Sequence, residues 1–473
     1  MPLREQLPDK ISQFSPPVLG VNLRDNEVDL TPHEARLMQN AIYLNGTRKR
    51  TGSERLTAHS LGPHRVTGGH KFYYGGSSNP QGKRLISYDD RVSLITDAGS
   101  EFVLTTGKTP NLNTYFVSWS NTDKEYISNG ADAIDVYDGS VYSTLSGTNI
   151  PQKATVIAPI LDRLMAVTPD GIERTNALVD NVWSLNSSWA TIRPALPGPF
   201  TTIYPHTLTS VNGDLFPGIV AFQGNAYYLI GGSMFGTDVT AGTATNDDAY
   251  IKLIDPRVGT SSPKSVASVP GVGLFWVTSD AYVYHVPYGK AHGVYIGDKI
   301  YSRGTTTGTE SINQAAIQNV WMVYYDRFLR LGIPIGSNTF PSIEYWLDMR
   351  QFMKDPTNPV WFGPMIGRTH GSVWTELQNG DRLLYAGEGS QGNGAYVYRV
   401  DSPGVYTDAV ANGDGNIDMV FQSWYNDFTA PSRRKYIRNV ELDLNDYIGD
   451  ATLDIIDTQG TVAANLPIVP LPR

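Results

Sequence analysis

Arg382-Leu383-Leu384-Tyr385-Ala386-Gly387, followed shortly by Ala395-Tyr396-Val397-Tyr398-Arg399-Val400, is the stretch on which the fold turns. Both runs are short, apolar and aromatic, and turn residues end each of them. Paired runs of this kind read as neighbouring antiparallel strands. The unit recurs upstream in Arg84-Leu85-Ile86-Ser87-Tyr88, Glu125-Tyr126-Ile127-Ser128-Asn129-Gly130, Arg163-Leu164-Met165-Ala166-Val167, Ile219-Val220-Ala221-Phe222, Leu274-Phe275-Trp276-Val277 and Trp321-Met322-Val323-Tyr324-Tyr325. Most have a second run close behind, at 92–95, 134–137, 226–230, 281–286 and 328–331. With Leu85, Tyr126, Leu164, Val220, Phe275, Met322 and Leu383 as markers, the intervals are 41, 38, 56, 55, 47 and 61 residues. A four-stranded propeller blade takes roughly 40–50 residues. The longer intervals require inserted loops, and 236–248 (GTDVTAGTATNDD) and 302–313 (SRGTTTGTESIN) have the small, polar composition of loops. A twisted four-stranded sheet cannot bury both faces alone, and stacking around an axis solves this. The pattern predicts an all-β propeller over 65–404, of about seven blades within a range of six to eight.

Composition agrees. The 473 residues exceed what one ordinary core supports, so either two domains or one repeat-built domain is expected. Forty-six glycines, 30 prolines and 27 tyrosines favour many turns and many short strands. No apolar run approaches transmembrane length, and the opening MPLREQLPDKISQF is not an ordinary secretory signal. There are no cysteines, which removes disulfides, thiolate metal sites and thiol nucleophiles. A net charge of −9 disfavours wrapping DNA by phosphate neutralisation, but suits a wall along which DNA slides without sticking.

The ends differ from the middle. Residues 1–64 read as an extended, proline-rich arm. Within it Thr31-Pro32-His33-Glu34 has the form of a capping box before Ala35, Leu37, Met38 and Ala41, which predicts one short helix over 32–41. Asn45-Gly46 marks a hairpin turn. Two roles fit the arm equally: packing on a neighbouring subunit, or closing its own domain. Residues 405–473 read as a small C-terminal β-element with strands at 419–425, 435–444 and 451–456, either a small sandwich or a closure of the propeller.

No catalytic set emerges. Thr168-Pro169-Asp170-Gly171 misplaces the glycine of a sialidase Asp box and reads as a tight turn. Gly231-Gly232-Ser233-Met234-Phe235-Gly236 lacks the spacing and the helix of a nucleophile elbow; the strand ending in Gly231-Gly232 is kelch-like instead. There is no phosphate-binding glycine loop of the G-x-x-x-x-G-K-S/T type. His59, His64 and His70 read as loop histidines, and Asn412-Gly413-Asp414-Gly415-Asn416 as a hairpin turn rather than a calcium loop. No cofactor, metal or enzymatic activity is expected. The dense basic runs, Arg48-Lys49-Arg50 and Arg433-Arg434-Lys435, are candidate contacts for DNA phosphates or a partner's acidic surface, with solvated faces or subunit salt bridges as the simpler reading.

The opening holds Gly20-Val21-Asn22, Thr31-Pro32-His33-Glu34-Ala35, Gln39-Asn40-Ala41, Asn45-Gly46 and Arg50-Thr51-Gly52. The later part holds Trp361-Phe362, the 382–387 and 395–398 runs, Thr407-Asp408, Gly415-Asn416-Ile417 and Arg434-Lys435-Tyr436. In this order the motifs resemble those of the packaged-DNA stabilisation, or tail nozzle, proteins of short-tailed bacteriophages, over roughly 20–55 and 360–445. The resemblance implies a virion structural protein assembled in the host cytoplasm. It implies a homo-oligomeric ring, a hexamer, below the portal and adaptor proteins, contacting tail fibres or spikes and enclosing the packaged DNA's exit channel. The alternative from the residues is a virion or secreted propeller that binds or cleaves host-surface glycans.

Overall fold

The computed structural model of the chain describes residues 17–25, 29–44, 46–75, 81–160, 163–175, 178–184, 200–209, 215–222, 227–232, 249–255, 258–288, 290, 293–300, 312–367, 369–378, 380–390, 394–410, 413–423, 451–456 and 462–468. It divides into two units, 1–425 and 426–473.

The first unit is a β-propeller. Six sheets have four antiparallel strands each in chain order: blade 1 over 66–105, blade 2 over 115–144, blade 3 over 156–184, blade 4 over 202–255, blade 5 over 267–295 and blade 6 over 321–365. The first strands lie innermost, packed side by side from blade 1 to blade 4, and from blade 5 through blade 6 to the closing sheet. The ring ends in a composite sheet of six strands. His370–Gln378, Asp381–Glu388 and Val397–Val400 pair in series, and the fourth position is filled by Ser53–Arg55 from near the N-terminus. Thr407–Val410 and Gly413–Asn416 complete it. Its innermost strand, His370–Gln378, packs against the innermost strand of blade 1, Val66–Tyr74, so the circle closes.

The blades form because their second strands are buried on both faces and mostly apolar. Every residue of Arg163–Thr168, Gly273–Val277 and Phe328–Ile333 is buried. A strand sandwiched on both sides reads as a continuous apolar run rather than an alternation, which is why these runs stand out in the sequence. The core lies between blades. Phe222 of blade 4 meets Trp276 of blade 5 with ring centroids 5.5 Å apart, and Trp374 and Tyr385 of the closing sheet pack with Val66 and Ile86 of blade 1. Each large aromatic buries about 150–250 Å², or about 4–6 kcal/mol of gross transfer free energy. Six of the seven markers lie on second strands. Met322 instead lies on the first strand of blade 6, whose second strand carries Leu329. With that one-strand slip removed, 54 residues separate Phe275 from Leu329 and Leu329 from Leu383.

The helix expected over 32–41 is absent; the stretch holds the strands Ala35–Gln39 and Ala41–Tyr43. The capping turn itself forms. Glu34 N donates to Thr31 O at 3.0 Å, and Thr31 N donates to Glu34 Oε2 at 3.2 Å. The next amide is taken elsewhere: Ala35 N donates to Gly20 O at 2.9 Å, and Ala35–Gln39 pairs with Val420–Ser423. A long-range ladder therefore outcompetes a local propensity that is worth little in so short a segment. Ala41–Tyr43 pairs antiparallel with Thr47–Lys49, the hairpin expected around Asn45-Gly46, with Asn45 itself outside the described residues. Of the two roles open to the arm, its described part performs closure of its own propeller.

In the second unit Ala451–Ile456 pairs with Val462–Ile468 as an antiparallel hairpin. The expected strand at 435–444 and the loop 236–248 lie outside the described residues, as does 302–311.

Candidate functional site

The most heavily built site joins the two ends of the propeller unit. Asn40 stands between two strands in the left-handed region, φ 53°, which asparagine tolerates better than most residues. Its Oδ1 accepts from Ile366 N and from Arg50 Nε, both at 2.9 Å, and its Nδ2 donates to Asp418 O at 2.8 Å. The Arg50 side chain is 0% exposed. Its Nη1 donates to Asp408 Oδ1 at 2.9 Å and its Nη2 to Ile366 O at 2.7 Å, with a second Nη2 bond to Asp408 Oδ2. A planar guanidinium held by a carboxylate in this two-pronged way is fixed in direction as well as charge. Gly52 and Gly20 permit the close approach. A Cβ on Gly52 would fall 1.9 Å from Thr407 O, and one on Gly20, at φ 73°, 2.1 Å from Trp361 O. Asn22 and Lys299 hold Glu34, with Lys299 Nζ at 2.9 Å. Burial pushes the Glu34 carboxyl up, but Lys299 and the surrounding donors outweigh it and keep it below its ordinary value.

This geometry corrects one candidate contact. Arg50 faces inward and is spent on Asp408 and Asn40, so it is not a surface for DNA or a partner. Arg48 is exposed and Lys49 partly exposed on the hairpin strand Thr47–Lys49. Arg433, Arg434 and Lys435 lie outside the described residues.

Charged groups elsewhere staple blades together. Glu376 of the closing sheet takes Arg84 of blade 1 at 2.6 and 2.7 Å, with both side chains buried. Glu344 of blade 6 lies 3.1 Å from His370 of the closing sheet. Glu125 of blade 2 lies 2.7 Å from His70 Nδ1 of blade 1. Burial opposes the His70 charge, but Glu125 outweighs it and raises the imidazole above its ordinary value. His64 is 3.4 Å from Asp89, so the histidines at 64 and 70 each sit beside a different carboxylate and do not converge. Thr168 and Gly171 pair across the hairpin between two strands of blade 3, the tight turn expected there. Gly413–Asn416 is a hairpin strand. A cleft lined by Lys108, Asn129, Asp132 and Asp135 has an open volume of about 10 Å³, room for no more than one water.

The propeller axis carries residues that sequence reading missed. The innermost strands run side by side in the same direction, so the residues before them gather at one mouth. There Asn113, before blade 2, donates to Asn319 Oδ1 at 3.2 Å, before blade 6. Lys264, before blade 5, donates through Nζ to Thr67 O of blade 1 and lies 5.9 Å from the centre of the Tyr115 ring of blade 2. These blades are not neighbours in the ring, so the contacts cross its axis. Arg65, before blade 1, donates to Asn111 O, while its Nε is buried with no acceptor among the described residues. Burial, aided by the Arg65 charge, brings the Lys264 ammonium down to about 7. Burial also lowers the Arg65 guanidinium and pushes the Tyr115 phenol up. In the sequence Lys264 is one lysine in a Ser-Pro-rich link and Arg65 one arginine after a proline and a histidine. Only the ring brings them together.

No protein-family model matches the chain, and no curated protein matches it. Among solved structures it is similar to YCF48 from Cyanidioschyzon merolae, at 11% identity and a TM-score of 0.41 over 75% of this chain and all of that one. It is likewise similar to Sqt1 of Saccharomyces cerevisiae, at 11% identity and a TM-score of 0.40 over 77% of this chain and all of that one. The WD40 propeller domain of Doa1 is 10% identical, with a TM-score of 0.41 over 75% of this chain and 98% of that one. These likenesses concern the propeller architecture, which the strand pairing itself displays.

Proposed function

We propose that the chain is a structural protein of a short-tailed phage virion, forming the tail nozzle ring below the portal and adaptor. The ring is a hexamer whose axial channel carries the packaged DNA and helps retain it. One observation carries the reading. Several residues of the phage-like motifs, far apart in sequence, have a defined job in one interlocked region: Gly20 against Trp361, Asn22 on Glu34, Asn40 and Arg50 on Asp418 and Asp408, Gly52 against Thr407. A motif set that builds one joint behaves as a family signature rather than a scatter of coincidences. Side chains cross the propeller axis at one mouth, so a duplex about 20 Å wide runs between subunits, not through a single propeller. The acidic net charge keeps such a wall from gripping phosphates. Heterologous contacts that close on themselves give rings.

The test is electron microscopy and native mass measurement of the chain, alone and with the portal and adaptor proteins. Six-fold rings with an open axis are expected; monomers under both conditions overturn the reading. The same reading expects no hydrolysis of capsule, lipopolysaccharide or peptidoglycan. Release of defined oligosaccharides, abolished by replacing one specific Asp or Glu, would favour the glycan-cleaving alternative instead.

A further inference from the structure

Arg65 and Lys264 form the one place described above where two cations meet without a carboxylate. Among the described residues, Arg50, Arg84, Lys299 and Lys124 instead have carboxylate partners, Asp408, Glu376, Glu34 and Asp180 in turn. Among the described residues, the titratable neighbour that acts on Lys264 is Arg65, and the one beside Arg65 is the Tyr115 phenol, which burial keeps neutral. Both cations come from links that enter innermost strands, on opposite sides of the axis. Each spends one N–H on a backbone carbonyl, Thr67 O for Lys264 and Asn111 O for Arg65. The remainder of the ammonium and the buried Arg65 Nε have donors to spare. Folding such a pair together is unfavourable unless the ammonium gives up its proton or something negative joins them, and a bound anion would hold Lys264 in its charged form.

We propose that this axial mouth, formed by Arg65, Lys264 and the Tyr115 ring, binds the phosphate group of an anionic ligand. A guanidinium offers a planar pair of donors and an ammonium a compact charge, the two groups that most often hold a phosphate's oxygens. The Tyr115 ring beneath Lys264 limits the space and excludes water on one side, which strengthens the attraction. The site stands on its own residues and does not depend on the nozzle reading. Free inorganic phosphate and a nucleic-acid phosphodiester share this chemistry, and the experiment separates them.

The full-length protein is unfolded thermally in phosphate-free buffer, in rising sodium phosphate, and in sodium chloride of matched ionic strength, with calorimetric titration of phosphate and of a short oligothymidylate. Phosphate is expected to raise the unfolding temperature of the wild type beyond the effect of chloride. Lys264→Met and Arg65→Gln are each expected to weaken phosphate binding about tenfold or more. Without phosphate, Lys264→Met is expected to be at least as stable as the wild type, because the stem's packing is kept and the repulsion is gone. A role for Lys264 that is structural alone predicts the opposite, a loss of stability in every buffer. Tighter binding of the oligothymidylate, lost in the same variants, identifies a phosphodiester; binding of phosphate alone identifies a free anion. Equal effects of chloride and phosphate, or variants that respond as the wild type does, overturn the proposal. Should Lys264→Met fail to fold, Arg65→Gln carries the same test.

Discussion

Arg50 shows how much a single side chain can mislead when only its charge is visible. In the sequence it is the third member of a basic run; in the fold it is an internal bolt between Asn40 and Asp408. Charge and neighbours along the chain carry no information about a partner at position 408, so its burial was not legible. Removing one member of a buried ion pair leaves the other uncompensated, which costs about 3–5 kcal/mol. Arg50→Met is therefore expected to lower urea-unfolding stability by that amount, and Arg50→Met with Asp408→Asn by clearly less than the sum of the two single changes. Gly52→Ala is expected to cost about 1–3 kcal/mol, because the added methyl meets the Thr407 carbonyl at 1.9 Å and backbone must move. His70 gives a pH signature. Its folded pKa lies above the ordinary 6.5 because of Glu125, so its contribution is present in full below 6.5 and is lost as pH rises through the folded value. The stability gap between wild type and His70→Gln, read from urea melts at several pH values from mildly acid to mildly alkaline, is expected to be widest at the acid end and to narrow upward.

Among the elements, Ser53–Arg55 matters most for its size. Three residues complete a sheet whose other strands lie beyond residue 369, pairing with Tyr398, Arg399 and Val400. Deleting residues 1–56 removes this strand together with Arg50 and exposes the edge of Val397–Val400. The product is expected to be aggregation-prone and to unfold without a sharp transition, as seen by light scattering and circular dichroism. The contrast with the 32–41 segment shows where local reading fails. Thr31 and Glu34 form the turn their spacing promises, yet the helix does not follow, because Gly20 and Val420–Ser423 supply partners that no local pattern reveals. The strands from Arg84 to Leu384 were legible because burial on both faces writes itself as an apolar run. The innermost strands were not, because Gly69, His70 and Lys71 interrupt the apolar run: Gly69 makes room for Trp374, His70 meets Glu125 and Lys71 reaches toward Glu376, partners that only the neighbouring blades supply.

For the whole molecule, the blade period was readable and the axis was not, since a mouth built from Arg65, Asn113, Lys264 and Asn319 exists only once the circle is closed. Residues 426–473 form a second unit, distinct from the propeller unit that ends at Tyr425. A chain ending at Tyr425 is therefore expected to melt calorimetrically in one transition at the same temperature as the propeller in the full chain; a drop of many degrees would mean that the C-terminal hairpin region supports the ring. The closing sheet also sets a timetable. Ser53–Arg55 leaves the ribosome about 350 residues before the strand it must pair with, a delay on the order of tens of seconds at ~5–20 residues per second. Throughout that interval the early strand is an unmatched half, and any finished neighbour whose own closing sheet has opened presents the same vacancy. Polysomes, where identical chains at different stages crowd together, are thus the setting in which one subunit's first strand is most readily exchanged for another's.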